Sequence, residues 1–406
     1  MIKAPRGTYD VLPSQQPLRE WLLREAEETC RRYGYRRLTT PTFEETELFA
    51  RTSGAGSDIV QKEMYTFKDR SERSLTLRPE ATAPTARAYI EHGLHREPQP
   101  VKTFTAGPMF RYAAPQKGRY REFWQLNVEA LGSDDPAIDA ELIQLFAELL
   151  RRLGIEEWTL ELNSIGDRSC RPRYLQELEA WLDAHSGELD EEARGKRATS
   201  PLRVFDSKNP RVQEALAAAP KIGDSLCDEC RRHFGQVQRY LDAYGVRYRL
   251  VPTLVRGLDY YTRTTFEFVG EALGAQDSLC GGGRYDYLLE EIGGRPTPAV
   301  GWAAGIERAL ISLGEQGVER EPEPLEIFFA FEAPERREQV LPLLAALRRE
   351  GRAVDTDYAG RSLKGQLTQA QRSGAETTVI VRSGGFTIRR AGERDRELET
   401  LEAGEL

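Results

Sequence analysis

Apolar residues recur at helical spacing over 16–34 (Leu18, Trp21, Leu22, Ala26) and predict an opening amphipathic helix that ends near Gly34. Short strands, helices and loops follow over 37–131. The run from Ala137 to Leu153 has one apolar face and stops at Gly154, a second helix, and Trp158–Leu162 reads as a strand. From about Arg171 to Tyr248 the chain turns charged and alanine-rich, with helical segments at Tyr174–Ala184, Val212–Ala217 and Cys230–Tyr244. Strand patterns return over Arg247–Glu267, and Gly281–Gly283 reads as a glycine-rich turn. Gln316–Pro324, rich in proline and acid, reads as a linker. Beyond it come a buried strand (Leu325–Phe331), a helix (Glu338–Arg349), a strand (Ala353–Asp357), a helix (Leu363–Ser373) and a strand (Thr377–Val381). That alternation predicts a small α/β domain with a largely parallel sheet.

Composition narrows the class. The chain has 406 residues, 39% of them hydrophobic and 30% charged, which suits a soluble globular protein of two or three domains. No apolar run approaches the ~20 residues of a membrane helix, and the start, Met1–Arg6, lacks an apolar leader, so no membrane partner and a cytoplasmic location are expected. The formal charge of −8 argues against nucleic-acid binding driven by net charge, although a local basic face is compatible with it. The four histidines show no catalytic spacing. Five cysteines without a leader do not read as a disulfide framework. Cys227 and Cys230 have the spacing of a metal knuckle, with His233 three residues on, but a structural zinc site takes about four ligands and the sequence shows no second knuckle. The stretch therefore reads as a helix start with two incidental thiols, and no bound metal is expected.

The most informative segment is Leu254–Glu267, which offers Arg256, Asp259, Tyr260, Tyr261 and Arg263 beside a strand-like run, Thr264–Phe268. An acid, two phenols and arginines suited to bidentate phosphate or carboxylate contacts suggest a polar small-molecule site. A tyrosine-rich core strand with solvated arginines is the plain alternative. The segment resembles the histidine-binding signature of the histidyl-tRNA synthetases, and its second part appears at Cys280–Asp286. Thr39–Phe49, with Pro41, resembles motif 1 of class II aminoacyl-tRNA synthetases, the dimer element. Met109–Tyr112 and Arg121–Glu129 resemble motif 2, two antiparallel strands around a loop, and Gly301–Arg308 resembles motif 3, a strand feeding a helix. Arg6–Asp10 and Leu75–Thr82 are further landmarks, so seven segments stand in the family's order from residue 6 to residue 308.

The resemblance implies an α+β catalytic domain over 1–324, with an antiparallel sheet flanked by helices and a helical insertion at about 171–248, and an anticodon-binding-like α/β domain over 325–406. It implies a homodimer that activates histidine with ATP and Mg2+ and transfers it to tRNA(His). Arg111 would bridge the α-phosphate and the histidine carboxylate, Arg256 would contact the α-phosphate, and Arg308 would hold the γ-phosphate end. Glu80, Ala81, Thr82, Gln125, Glu129, Tyr260 and Tyr261, with Arg111 and Arg256, match the histidine-contacting positions. Gln116, Arg119, Arg361 and Lys364 would face tRNA; between Arg361 and Arg390 the basic residues are opposed only by Glu376.

Departures are visible too. Where the family has a glutamate that reads adenine and usually an arginine beside it, the chain has Ala113 and Ala114. Ala81 replaces a glycine, Trp124 stands where histidine is common, and little chain remains after Val381 for a closing helix. Ala113, Ala114 and Trp124 favour a second reading, a non-catalytic histidine-binding paralogue similar to the regulatory subunit of ATP phosphoribosyltransferase. The C-terminal domain and the retained Arg256 and Arg308 favour the ligase. Both readings share the histidine pocket.

Overall fold

A computed structural model of the chain describes residues 2–52, 59–207, 209–270 and 278–406. It forms two compact units, residues 1–320 and 321–406. The first is built on an eight-stranded sheet, in the order Arg36–Arg37, Val101–Phe110, Glu122–Leu131, Ala299–Gly305, Ser278–Arg284, Thr262–Gly270, Trp158–Ser164, Arg249–Leu250. All interior pairs are antiparallel, while the two-residue strands at the edges pair in parallel, so the sheet is mixed rather than purely antiparallel.

Alternation along Glu122–Leu131 decides which face does what. Leu126, Val128 and Ala130 join the core beneath the helices Gln16–Arg32 and Pro136–Leu153. Gln125, Asn127 and Glu129 therefore point to the opposite face, as a pleat of period two requires. Pro136–Leu153 shows how firmly the sequence sets an element. Asp135 caps it by accepting from the Ala137 N–H at 2.9 Å, a contact that typically contributes about 1 kcal/mol. Gly154 ends it at φ 73°, and Ile138, Leu142, Leu145 and Leu149 bury its inner stripe.

The glycine-rich segment Gly281–Gly283 is not a turn but the middle of the strand Ser278–Arg284. A Cβ on Gly281 would overlap the Arg256 guanidinium, one on Gly282 the Gly301 carbonyl, and one on Gly283 the Thr264 carbonyl. Glycine here permits close approach rather than a bend.

The insertion leaves the sheet after Trp158–Ser164 and returns at Arg249–Leu250, which pairs with Glu161 and Leu162 of the strand it left. Between them lie the helices Arg171–Ala184, Glu191–Thr199, Pro210–Ala217 and Asp228–Tyr244. A small three-stranded sheet, in the order Phe43–Glu45, Ser74–Leu77, Tyr65–Lys68, carries the motif 1-like segment.

The second unit has a five-stranded sheet in the order Val354–Thr356, Ile327–Phe331, Thr377–Arg382, Gly385–Arg390, Arg396–Leu398. Only its first three strands are parallel. The chain after Val381 makes an antiparallel hairpin and a short edge strand, which corrects the expected largely parallel sheet. No helix among the described residues is long and apolar enough to cross a membrane.

Candidate active site

The polar face of the large sheet opens into a cavity of about 340 Å³. Its lining brings together Glu80, Thr82, Arg111, Gln125, Arg256, Tyr260, Tyr261 and Arg308, contributed by five separate stretches of chain. Arg119, held to Glu63 at 2.7 Å, and Ala113 also line it.

Five arginines line this space: Arg111, Arg119, Arg203, Arg256 and Arg308. Arg111 donates from Nε to the Pro79 carbonyl at 2.9 Å and stands over the Phe123 ring. Arg308, early in the helix Ile306–Glu315, donates to the Ser278 carbonyl at 2.6 Å. Burial pulls the Arg308 guanidinium below its ordinary range, and repulsion from Arg111 adds to the shift. Burial likewise lowers Arg111. Burial also works against charge on Arg256, but Glu267, paired with it at 2.9 Å, holds it above its usual value. Three guanidiniums gathered at partial desolvation cost is an arrangement that a polyanion would relieve.

A polar row lies beside them. Gln125 Oε1, both side-chain polar atoms of Asn127 and Arg256 Nε are buried without a hydrogen-bond partner among the described residues. Such groups cost about 1–3 kcal/mol each when left unmet, so the cavity is prepared for a ligand rich in donors and acceptors.

Glu80 accepts from the Thr82 and Ala83 N–H groups at 2.6 and 2.9 Å, so it holds the start of the helix Thr82–Glu91 while facing the cavity. Burial nevertheless raises its carboxyl. Glu129 does not line the cavity. It is wholly buried one layer behind Thr82, whose hydroxyl donates to it at 2.7 Å, and Tyr285 donates to its other oxygen. Burial pushes Glu129 up to about 8. A Cβ on Gly301 would overlap this carboxylate, which explains the glycine on that strand. Tyr260 and Tyr261 are buried with ring centroids 4.7 Å apart, and burial pushes Tyr261 up to about 12.

Ala81 is buried outside the lining, at φ −115°, a conformation any residue adopts, so its Cβ strains nothing. Trp124 packs against the core with the Arg19 guanidinium 4.7 Å above its ring, and its backbone N–H donates to Glu307. Ala114 and Gln116 are exposed in the loop, Gln116 facing Arg119 across a bridge. Arg361 and Lys364 belong to the second unit and are exposed there. Three basic residues of that stretch meet acids from outside it: Arg361 pairs with Asp357, Arg382 with Glu332, and Arg389 with Asp395. Counting charges within the window overstated how basic this surface is.

Asn127 and Tyr285 went unread in the sequence. Asn127 was legible, since it lies between Gln125 and Glu129 on one strand face. Tyr285 lies inside Cys280–Asp286, but nothing local shows that it meets Glu129 across the sheet.

The family model described as Histidyl-tRNA synthetase matches residues 7–309. The histidine–tRNA ligase of Desulforudis audaxviator is 49% identical over 94% of this chain and 91% of its own length. That of Halothermothrix orenii is 45% identical over 94% and 91%. The chain belongs to the histidyl-tRNA synthetase family. Among solved structures, the apo histidyl-tRNA synthetase of S. aureus aligns at TM-score 0.82 and 36% identity, over 98% of this chain and 97% of that one. A Bacillus halodurans structure described as an ATP phosphoribosyltransferase regulatory subunit/histidyl-tRNA synthetase aligns at TM-score 0.68 and 24% identity, a likeness of fold alone. Within the histidyl-tRNA synthetase family, the chain therefore stands nearer to the ligases than to that structure.

Proposed function

We propose that the chain is a histidine–tRNA ligase of class II type, acting in the cytoplasm as a homodimer. The observation that carries this reading is the cavity itself, where Arg111, Arg256 and Arg308 face a row of buried polar groups that have no partner among the described residues. Activation is attack of the histidine carboxylate on the α-phosphate of ATP, with pyrophosphate leaving. Positioning and charge stabilisation do this work, since no covalent enzyme intermediate is needed. Arg111 bridges the carboxylate and the α-phosphate, Arg256 gathers the charge that builds there, and Arg308 holds the γ-phosphate end. Histidine lies on Thr82, Gln125, Tyr260 and Tyr261, with Glu80 taking the α-amine and Glu129 setting the polarity behind Thr82. The terminal hydroxyl of tRNA(His) then takes the acyl group. Gln116 and Arg119 approach the tRNA from the motif 2 loop, and Arg361 and Lys364 contact it from the second unit.

Mg2+ enters this scheme as a companion of ATP. The cavity's Glu63, Glu80 and Glu307 are each engaged, with Arg119, with backbone N–H groups, and with Tyr9 and the Trp124 N–H respectively. The ion would therefore rest mainly on phosphate oxygens and water, and no protein cage is assigned to it. The dimer surface is assigned to Phe43 and Phe67, exposed aromatics 6.3 Å apart on the three-stranded sheet. The regulatory reading keeps one supporting observation, Ala113 at the cavity wall where the family has an adenine-reading glutamate. Charging of a tRNA(His) transcript by purified protein tests the choice. Formation of histidyl-tRNA is expected. A protein that binds histidine yet leaves the transcript uncharged would overturn the ligase reading in favour of the regulatory one.

A further inference from the structure

Away from the cavity, where the insertion joins the sheet, Asp167, Cys170, Cys227 and Cys230 converge. One carboxylate oxygen and three sulfurs lie within 4.8 Å of one another. Cys170 and Cys230, 60 residues apart in sequence, place their sulfurs at 3.9 Å, and Cys170 Sγ is 3.7 Å from Asp167 Oδ1. Thiolates at about 2.3 Å from a tetrahedral zinc ion stand about 3.8 Å apart, and a carboxylate oxygen at about 2.0 Å stands about 3.5 Å from each sulfur. The Cys170–Cys230 and Cys170–Asp167 spacings each lie within about 0.2 Å of the tetrahedral values.

The surroundings suit such a centre. The Cys230 N–H points at Cys227 Sγ at 3.5 Å and the Asp167 N–H at Cys170 Sγ at 3.4 Å, contacts that stabilise thiolates. Gly166 has φ +63°, and a Cβ there would lie 2.6 Å from Cys170 Sγ, so the thiol's position depends on that glycine. Arg263, itself at φ 47°, places a guanidinium nitrogen 3.3 Å from Asp167 Oδ2, a cation beside what would be a net negative ligand set. His233, the histidine nearest the knuckle in sequence, belongs elsewhere, with Nε2 3.9 Å from Asp139. The spacing-based expectation of two incidental thiols leaves out Asp167 and Cys170, which only the fold delivers.

We propose that Asp167, Cys170, Cys227 and Cys230 form a structural zinc site that clamps the insertion to the catalytic sheet. The three thiols release their protons to solvent as Zn2+ binds, and the four side chains close the coordination sphere, leaving no open position for chemistry. The clamp bears on the cavity by a short route. Arg171, next to Cys170, donates to the Tyr261 carbonyl at 2.6 Å, and Arg263 exchanges backbone hydrogen bonds with Gly166 and Ile165.

Elemental analysis of the reduced full-length chain, purified without chelators and reconstituted with Zn2+ alone, tests this. About one zinc per chain is expected, surviving dialysis and released when a mercurial titrates the thiols. Replacing Zn2+ by Co2+ should give the intense thiolate-to-cobalt absorption of a tetrahedral site. Cys227→Ser, at the half-exposed corner, should weaken retention at least tenfold while circular dichroism stays native, and Asp167→Asn should do so with the thiols intact. Three results would each overturn the site: a folded, reduced chain that holds no zinc; equal zinc in Cys227→Ser and the parent; or a mass about two daltons low under non-reducing conditions, marking a Cys170–Cys230 disulfide.

Discussion

Two buried polar clusters lie on neighbouring parts of one sheet, and they are built in opposite ways. Around Arg284 every charge is met. The guanidinium is fully buried, reaches Asp139 at 2.7 Å and Asp286 at 3.1 Å, and also donates to the Ser133 and Asp135 carbonyls. In the cavity, Gln125, Asn127 and Arg256 keep buried polar atoms with no partner among the described residues. Arg284 and Gly281 belong to one strand, yet Arg284 serves the frame while Gly281 makes room for Arg256. A fully paired buried group maintains structure, whereas unpaired groups that also line a cavity, as those of Gln125, Asn127 and Arg256 do, mark where a ligand completes the pairing.

The contrast breaks most visibly at Arg284. Arg284→Ala strands Asp139 without its cation and should cost about 3–5 kcal/mol of folding stability, read by chemical denaturation. A loss under about 1 kcal/mol would remove the distinction. Arg256→Ala should behave in the other sense. Turnover should fall about 10²–10³-fold, the usual loss for one electrostatic donor at a reacting centre, while histidine affinity changes less than turnover. Steady-state kinetics beside calorimetry separates the two.

Glu129 sharpens the comparison through pH. Its native carboxyl, raised to about 8 from an ordinary 4.5, keeps a proton that the unfolded chain releases. Its contribution to stability is therefore complete below about pH 4.5 and is lost as the pH rises through 8. Wild-type stability should fall across that window relative to Glu129→Gln. Parallel profiles for the two proteins would show that Glu129 is already ionised in the native state.

Smaller effects follow at the cavity wall. Asn127→Leu removes two orphaned polar atoms, so thermal stability should hold or rise by about 1 kcal/mol while ligand affinity drops. Destabilisation instead would show that Asn127 is a structural group. Ala113→Glu should lower the apparent KM for ATP several-fold, on the order of 1 kcal/mol for one added acceptor to the adenine amine. An unchanged KM would place the adenine elsewhere.

Much of this is legible in the sequence. Pro136–Leu153 carries an apolar stripe, a cap and a terminal glycine, and its limits are set locally to within a residue of the reading. Gly281–Gly283 misled because glycine is an ordinary turn signal, whereas here it answers to Arg256, Gly301 and Thr264, all distant in sequence. Glu191–Thr199 escaped notice because among its described side chains only Ala193 is buried, which leaves little periodicity to read. The hairpin after Val381 was hidden by its shortness and its polar outer positions. Site residues on one strand, such as Gln125 and Asn127, follow from alternation. Pairings across the fold, such as Tyr285 with Glu129 or Cys170 with Cys230, do not.

The central claim is that this cavity joins histidine to ATP, and histidine-dependent ATP–pyrophosphate exchange tests it most directly. The account predicts exchange that requires histidine, is not supported by leucine, and is lost in a folded Arg256→Ala protein. Absence of exchange at saturating histidine and ATP, in protein that binds histidine by calorimetry, would contradict it.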